Sequence, residues 1–130
     1  MFKDAKAFSS FSVNNLDEAK AFYGQTLGLE TDETQEGLAL KIAGGGQVFL
    51  YPKPDHTPAS FTVLNFPTND INATVDKLGA QGITFESYGG EIETDAKGIF
   101  RGASSGEGPN IAWFKDPAGN ILSVVEEKKG

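Results

Sequence analysis

Few side chains in this sequence could carry out catalytic chemistry. His56 is the only histidine, Arg101 is the only arginine, and the chain contains no cysteine. A cysteine nucleophile, a thiolate metal site and a disulfide framework are therefore excluded. Acid–base or metal chemistry would have to be built around isolated residues.

His56 lies in the proline-rich stretch 52–58, PKPDHTP, with only Asp55 beside it. A zinc or iron site needs several ligands that converge on one point. A histidine in a solvated loop is the simpler interpretation. The sequence therefore predicts no metal site and no cofactor.

Arg101 lies in residues 88–109, a stretch rich in glycine and charge. This connection is longer than structure requires, and long loops often cover a binding site. Arg101 could hold a carboxylate or phosphate when the loop closes. The alternative is a solvated arginine. Tyr51 and Tyr88 could donate protons, but no nucleophile beside a base is recognisable.

The elements that would position these residues occur in two copies. Residues 8–28 and 63–82 each predict a strand followed by a capped helix, and an offset of 55 residues aligns Asn15 with Asp70. Asn and Asp side chains cap helix N-termini, and apolar residues follow both at helical spacing. A repeat at this spacing indicates two related structural units.

Alternating apolar and polar residues predict the strands. Residues 8–13, 29–33, 38–42 and 47–51 complete a βαβββ order in the first half. In the second half the predicted strands are residues 61–66, 83–87, 99–103, 111–115 and 120–126. Asp116 to Gly119, DPAG, predicts a tight hairpin turn.

Composition limits the size of the domain and the kind of partner. A chain of 130 residues with 38% hydrophobic content can form one core, and its net charge of −7 disfavours a nucleic-acid surface. Residues 1–10 contain no apolar run typical of a signal peptide, and no stretch is long enough to cross a membrane. We expect a cytoplasmic protein without membrane or nucleic-acid partners.

Two sequence signatures resemble the vicinal oxygen chelate superfamily, which includes glyoxalase I, bleomycin-resistance proteins and extradiol dioxygenases. The first is LDEA at 16–19 followed by FY at 22–23 and LG at 27–28, and the second is WFKDPAGN at 113–120. The resemblance covers nearly the whole chain. It implies an α+β fold of two tandem βαβββ modules, forming a curved mixed sheet around a cavity with helices outside. It also implies a homodimer.

The resemblance further implies that metal-dependent members bind the ion through His and Glu side chains of the first and last strands. Carried onto this sequence, those positions fall on Phe8, Leu50, Val63 and Ser123. None is a strong ligand for a divalent ion. The sequence therefore departs from the metal-binding pattern of the family.

We interpret the chain as a single domain of residues 1–130, with module one at about 6–52, a linker at about 53–59 and module two at about 60–127. The favoured hypothesis is a metal-independent small-molecule binding protein. Its predicted ligand-binding residues are Phe8, Ser10, Leu50, Val63, Asn65, Arg101, Trp113 and Ser123. The alternative is a lyase or isomerase of the same superfamily with an atypical site.

Overall fold

The computed structural model describes residues 1–127, which divide into two compact units, residues 1–58 and 59–127. We call them module one and module two. Each contains a four-stranded mixed sheet and helical segments in the order βαβββ, with an extra short helix in module two. The predicted α+β class and the tandem βαβββ modules are confirmed.

Module one has the strand order β1-β4-β3-β2, with β1 parallel to β4 and the other pairs antiparallel. Its elements are β1 (Ser9–Val13), α1 (Leu16–Lys20), a π-helical turn (Ala21–Thr26), β2 (Thr31–Glu33), β3 (Leu38–Lys41) and β4 (Gln47–Pro52). Val13, Leu38, Leu40 and Leu50 are fully buried. The apolar core of the module therefore lies along one sheet face.

The first helix begins as the sequence predicts and then changes form. Asn15 caps it, because its Oδ1 accepts a hydrogen bond from the Glu18 amide at 2.9 Å. After Lys20 the α-helix gives way to a π-helical turn, in which the Leu27 amide donates to the carbonyl of Phe22 at 2.9 Å. Apolar spacing alone does not distinguish this wider turn from an α-helix.

Module two repeats the topology with the strand order β5-β8-β7-β6. Its elements are β5 (Thr62–Thr68), α2 (Ile71–Ala80), β6 (Ile99–Arg101), α3 (Gly102–Ser105), β7 (Asn110–Lys115) and β8 (Ile121–Glu126). Asp70 caps α2 by accepting a hydrogen bond from the Ala73 amide at 3.1 Å. Helix α2 contacts β7 and β8, so one face of this sheet belongs to the core.

The strand predicted at residues 83–87 does not form. Phe85 makes only an isolated bridge to Phe114, and the Glu86 amide donates to the carbonyl of Trp113 at 2.8 Å. Strand β6 pairs with residues 110–112 of β7. The segment around Phe85 and strand β6 therefore lie one after the other along the same edge of β7. The second segment, β6, is also shorter than predicted because α3 begins at Gly102.

The predicted DPAG hairpin forms between β7 and β8. The Asp116 carboxylate accepts hydrogen bonds from the amides of Ala118 and Asn120 and from Asn120 Nδ2, at 2.8–3.0 Å. Asp116 and Asn120 are both buried. The turn is thus fixed by side-chain hydrogen bonds as well as by its backbone. None of the helices within residues 1–127 is long and apolar enough to span a bilayer.

Candidate ligand-binding site

Three predicted site residues form a row across the sheet of module two. Asn65 of β5 pairs with Ser123 of β8, and Ser123 pairs with Trp113 of β7. Since residues that pair across a sheet project on the same face, the three side chains share one face of this sheet. Ser123 is fully buried and its hydroxyl donates a short hydrogen bond to Asn65 Oδ1. The polar pair is therefore satisfied within the sheet.

Two further aromatic rings contact Trp113. The ring centroid of Tyr88 lies 5.5 Å from that of Trp113 at an interplanar angle of 66°, and Phe100 lies at 6.4 Å. The irregular segment after residue 83 brings Tyr88 to this position, because it follows β7 only as far as Glu86. Because residues 83–87 do not form a strand, the chain after Glu86 is not bound to the edge of β7 and can place Tyr88 against Trp113.

An open cavity of about 590 Å³ lies beside this aromatic contact. Its lining residues are Ser60, Phe61, Thr62, Tyr88, Gly89, Glu91, Ile92, Trp113 and Ile121. Strand residues of β5, β7 and β8 contribute to it together with the segment before β5 and the loop after Tyr88. Its volume is in the range of small-molecule sites.

The cavity lining is largely apolar and carries negative charge. Glu91 is the one charged side chain that lines it among residues 1–127. Lys115, two residues beyond Trp113, is paired with Glu86 at 3.5 Å. Burial raises the pKa of Tyr88, the Glu86 carboxylate raises it further, and Lys115 partly opposes this. The Tyr88 hydroxyl therefore stays protonated at neutral pH.

Val63 lies at an irregularity of the first strand in module two. Thr62 pairs with Ile121 and Leu64 pairs with Leu122, so Val63 is the extra residue of a bulge. Thr62, which the sequence analysis did not select, lines the cavity in its place. A bulge of this kind changes which side chain faces a site and has no clear signal in the sequence.

The module-one residues require a correction in register. Phe11 pairs with Leu50, and Phe66 pairs with Val124. Since Phe11 and Phe66 are equivalent in the repeat, Leu50 corresponds to Val124 and not to Ser123. Leu50 is fully buried in the core. The residue equivalent to Ser123 is Phe49, one position earlier.

Phe8 and Ser10 lie at the start of module one. Phe8 precedes β1 and is 68% exposed, whereas Ser10 lies in β1 opposite Phe49. Ser10 is exposed and occupies the position that Asn65 has in module two. Neither residue belongs to the cavity of module two.

The Arg101 side chain forms hydrogen bonds to other residues of module two. Its Nε donates to Asp95 Oδ2 at 2.9 Å, and its guanidinium donates to Asn72 Oδ1 at 2.8 Å. Burial tends to raise the pKa of Asp95, but hydrogen bonds from the Ile99 amide, Arg101 and the Lys97 amide, together with the guanidinium charge, lower it overall. Arg101 does not line the aromatic cavity but an adjoining depression, which shares Glu91 with it.

Module one contains a hydroxyl beside a base, which the sequence analysis did not identify. Ser12 Oγ lies 2.6 Å from His56 Nδ1, although 44 residues separate them. Asp55, the sequence neighbour of His56, instead pairs with Lys53 at 2.6 Å, and this hydrogen bond lowers the pKa of the Asp55 carboxyl. Only the fold brings Ser12 and His56 together.

The residues present do not fit a divalent metal ion of the kind that the family resemblance implies. With the corrected register, the four positions that the resemblance implies as metal ligands are Phe8, Phe49, Val63 and Ser123. Only Ser123 offers an oxygen atom, and a hydroxyl is a weak ligand. Within the described chain, no group of three or more His, Cys, Asp or Glu side chains could hold a metal ion.

Trp113 is thus the predicted site residue that lines the cavity, and Ser123 and Asn65 lie in the row beside it. The lining residues that were missed include Phe61, Ile92 and Ile121. For Ile92 the available signal was the length and glycine content of residues 88–109, because long loops often form binding sites. The sequence did not reveal which of its side chains turn inward.

A family model described as Glyoxalase/Bleomycin resistance protein/Dioxygenase superfamily matches residues 8–124. Among curated protein sequences, none matches this chain.

Several solved structures share the fold. TnmS3, an antibiotic binding protein from Streptomyces sp. CB03234, is 20% identical with a TM-score of 0.63, and the match covers 96% of this chain and 98% of TnmS3. A glyoxalase family protein from Enterococcus faecalis is 22% identical with a TM-score of 0.64 and covers 97% and 100%. The fosfomycin resistance protein FosX from Listeria monocytogenes is 11% identical with a TM-score of 0.67 and covers 94% and 92%.

Proposed function

The chain belongs to the glyoxalase/bleomycin resistance protein/dioxygenase superfamily, and we propose that it is a metal-independent small-molecule binding protein. The observation that carries the proposal is the open cavity of module two, where Trp113, Tyr88 and Phe61 lie together. Apolar cavities with a few polar groups are the usual form of small-molecule sites. The antibiotic-binding protein TnmS3, which shares the fold, supports the same reading.

The chemistry of the donor set supports metal independence. A ligand held by a divalent ion would need several His or carboxylate groups directed at one point. The strand positions discussed above carry aromatic, aliphatic and hydroxyl side chains. Binding in this protein would therefore depend on apolar contact and hydrogen bonds.

A thermal-shift screen in the presence of a chelator tests this proposal. A compound that binds only the folded protein at 100 times its dissociation constant stabilises it by about 2.7 kcal/mol. We expect hits among aromatic compounds, with shifts that the chelator does not change. A screen without any hit would contradict the proposal, and shifts lost in chelator would contradict metal independence.

Two tyrosines provide a matched pair of variants. Tyr88 is 37% exposed and lines the cavity, whereas Tyr51 is 36% exposed and lies in module one. We expect Tyr88→Leu to weaken the binding of screen hits and Tyr51→Leu to leave it unchanged. Equal losses from both variants would contradict the location of the site in the module-two cavity.

The second candidate is a lyase or isomerase with an atypical site. The contact of Ser12 with His56 favours it, because a histidine ring nitrogen within hydrogen-bond distance of a hydroxyl has the geometry of a general acid–base pair. Screen hits incubated in heavy water would take up deuterium or be converted if this is correct. His56→Gln should then abolish conversion, and the absence of conversion for every hit would exclude this candidate for those compounds.

We also propose a cytoplasmic homodimer without nucleic-acid or membrane partners. The acidic net charge of −7 supports the lack of nucleic-acid binding. Light scattering at several concentrations would determine the subunit number, and a monomer at all of them would contradict the dimer.

A further inference from the structure

We propose that the cavity of module two selects planar aromatic ligands that carry a positive charge. This inference rests on the proposed binding function and adds the chemical class of the ligand. It concerns only the cavity lined by Trp113, Tyr88, Phe61 and Glu91.

The aromatic lining accounts for the planar part of the ligand. Trp113 and Tyr88 meet at 66° with centroids 5.5 Å apart, an edge-to-face geometry. Phe61, which lines the same cavity, is 68% exposed, and Ile92 is also exposed. Aromatic rings attract other rings in stacked or tilted arrangements beyond the effect of buried area. A flat ring system would therefore cover apolar surface that now faces solvent.

The charges around the cavity account for the cationic part. Within the described residues, Glu91 is the sole charged residue in the lining, and no Lys, Arg or His contributes to it. Two cations lie close by, and both are paired: Lys115 with Glu86, and Arg101, which lines the adjoining depression that shares Glu91, with Asp95. Aromatic faces also attract cations, most strongly that of tryptophan. The lining therefore favours a cation over an anion of the same shape.

The whole chain acts in the same direction. Its net charge of −7 produces a negative field that attracts cationic ligands and repels anionic ones. This long-range attraction is weakened strongly by salt, whereas a direct contact with Glu91 acts over less than a Debye length and is weakened less. Varying the salt concentration therefore separates general attraction from a contact in the cavity.

Three compounds with the same fused tricyclic frame test the inference. They are the aminoacridinium cation, neutral anthracene methanol and anthracene carboxylate. Calorimetry measures the three affinities, and quenching of the fluorescence of Trp113, the only tryptophan, is the second readout. We expect aminoacridinium to bind at least about fivefold more tightly than the carboxylate, in line with one exposed charge contact.

Glu91→Gln should weaken aminoacridinium binding about three- to fivefold, the size expected of an exposed ion pair, and leave anthracene methanol unchanged. Glu93→Gln is the matched control, because Glu93 lies two residues away and lines only the adjoining depression, whereas Glu91 lines both that depression and the aromatic cavity. Equal weakening by both variants would attribute the preference to net charge and overturn the role of Glu91.

The outcomes distinguish this inference from the proposed function. If the carboxylate binds as tightly as the cation, the charge preference is wrong and small-molecule binding stands. If none of the three binds while other compounds from the thermal-shift screen do, the ligand class is wrong and the proposed function stands. If no compound of any class binds, both fail.

Discussion

At the scale of single residues, the structure separates side chains that hold the fold from those available to a ligand. Ser123 is fully buried and bonded to Asn65, and Asp116 is buried and bonded to the turn that it begins. Tyr88 and Glu91 instead line the cavity. Substitutions in the first group should change stability, and substitutions in the second should change binding.

Asp116→Ala is expected to lower the free energy of unfolding by about 2–4 kcal/mol. The reason is that the carboxylate accepts three hydrogen bonds, one of them from the side chain of buried Asn120. Urea unfolding measures the loss. Asp32→Ala, at an exposed position of β2, is the control and should have little effect. Similar losses for both variants would contradict this role of Asp116.

The Asp95–Arg101 pair makes a pH-dependent prediction. The pKa of Asp95 is lower in the folded protein than its ordinary value of 3.8, so its charged form stabilises the fold above that pH. The stabilisation is lost as the pH falls through the lowered value. We expect Asp95→Asn to reduce stability at neutral pH by no more than about 1 kcal/mol, because the pair is partly exposed.

Unfolding of the wild type and Asp95→Asn should be compared at neutral pH and in steps below pH 3.8. The stability difference between them should shrink as the pH falls. A difference that grows under acid conditions would reverse the sign and contradict the lowered pKa.

At the scale of elements, the departures from regular structure determine where the cavity side chains lie. Residues 83–87 follow β7 only through one bridge and one backbone hydrogen bond, which leaves Tyr88 free to contact Trp113. The bulge at Val63 turns Thr62 to the same cavity. A fully regular sheet in module two would place different side chains there.

Two glycines show how backbone proximity limits substitution. A Cβ atom at Gly37 would lie 2.1 Å from the carbonyl oxygen of Leu50, whereas one at Gly79 in α2 would meet nothing within 4 Å. We expect Gly37→Ala to destabilise the protein, because backbone must move. Gly79→Ala should stabilise it by about 0.5–1 kcal/mol, since alanine is favoured inside a helix.

Thermal or urea unfolding of the two alanine variants provides the comparison. The free energy of unfolding should fall for Gly37→Ala and rise for Gly79→Ala, although both variants replace glycine with alanine. Stabilisation by Gly37→Ala would show that the close approach of Gly37 to Leu50 is not required.

At the scale of the whole molecule, the two modules keep the same topology but differ in their polar side chains. The paired positions Ser10 and Phe49 in module one correspond to Asn65 and Ser123 in module two. No described cluster could hold a metal ion in either module. The repeat therefore retains the fold of the family, while Phe8, Phe49, Val63 and Ser123 carry none of the His and Glu side chains that the resemblance implies for a metal site.

Calorimetric titration with nickel, zinc, manganese and iron(II) tests this at the level of the intact chain. We expect no stoichiometric site, because the side chains at the relevant strand positions are poor ligands. Metal content of protein purified without chelator is the independent check. One tightly bound ion per subunit would contradict the assignment of ligand positions and favour a metal-dependent enzyme.

Whereas the α+β fold of two βαβββ modules was implied by the family resemblance, the residue pattern by itself determined the βαβββ order of the first half, the repeated strand and capped helix, the helix caps at Asn15 and Asp70 and the DPAG turn. These features depend on local spacing and on hydrogen bonds between residues close in the chain. The sequence analysis also placed Trp113 in the predicted site.

Only the tertiary structure decided the register of β4, the loss of the strand at 83–87, the bulge at Val63 and the contact of Ser12 with His56. A shift of one residue reverses the face of a strand, and alternation alone does not fix which partner it meets. Leu50 was misplaced for this reason. The lining of the cavity depends on contacts between residues far apart in the chain, and local sequence patterns do not predict such contacts.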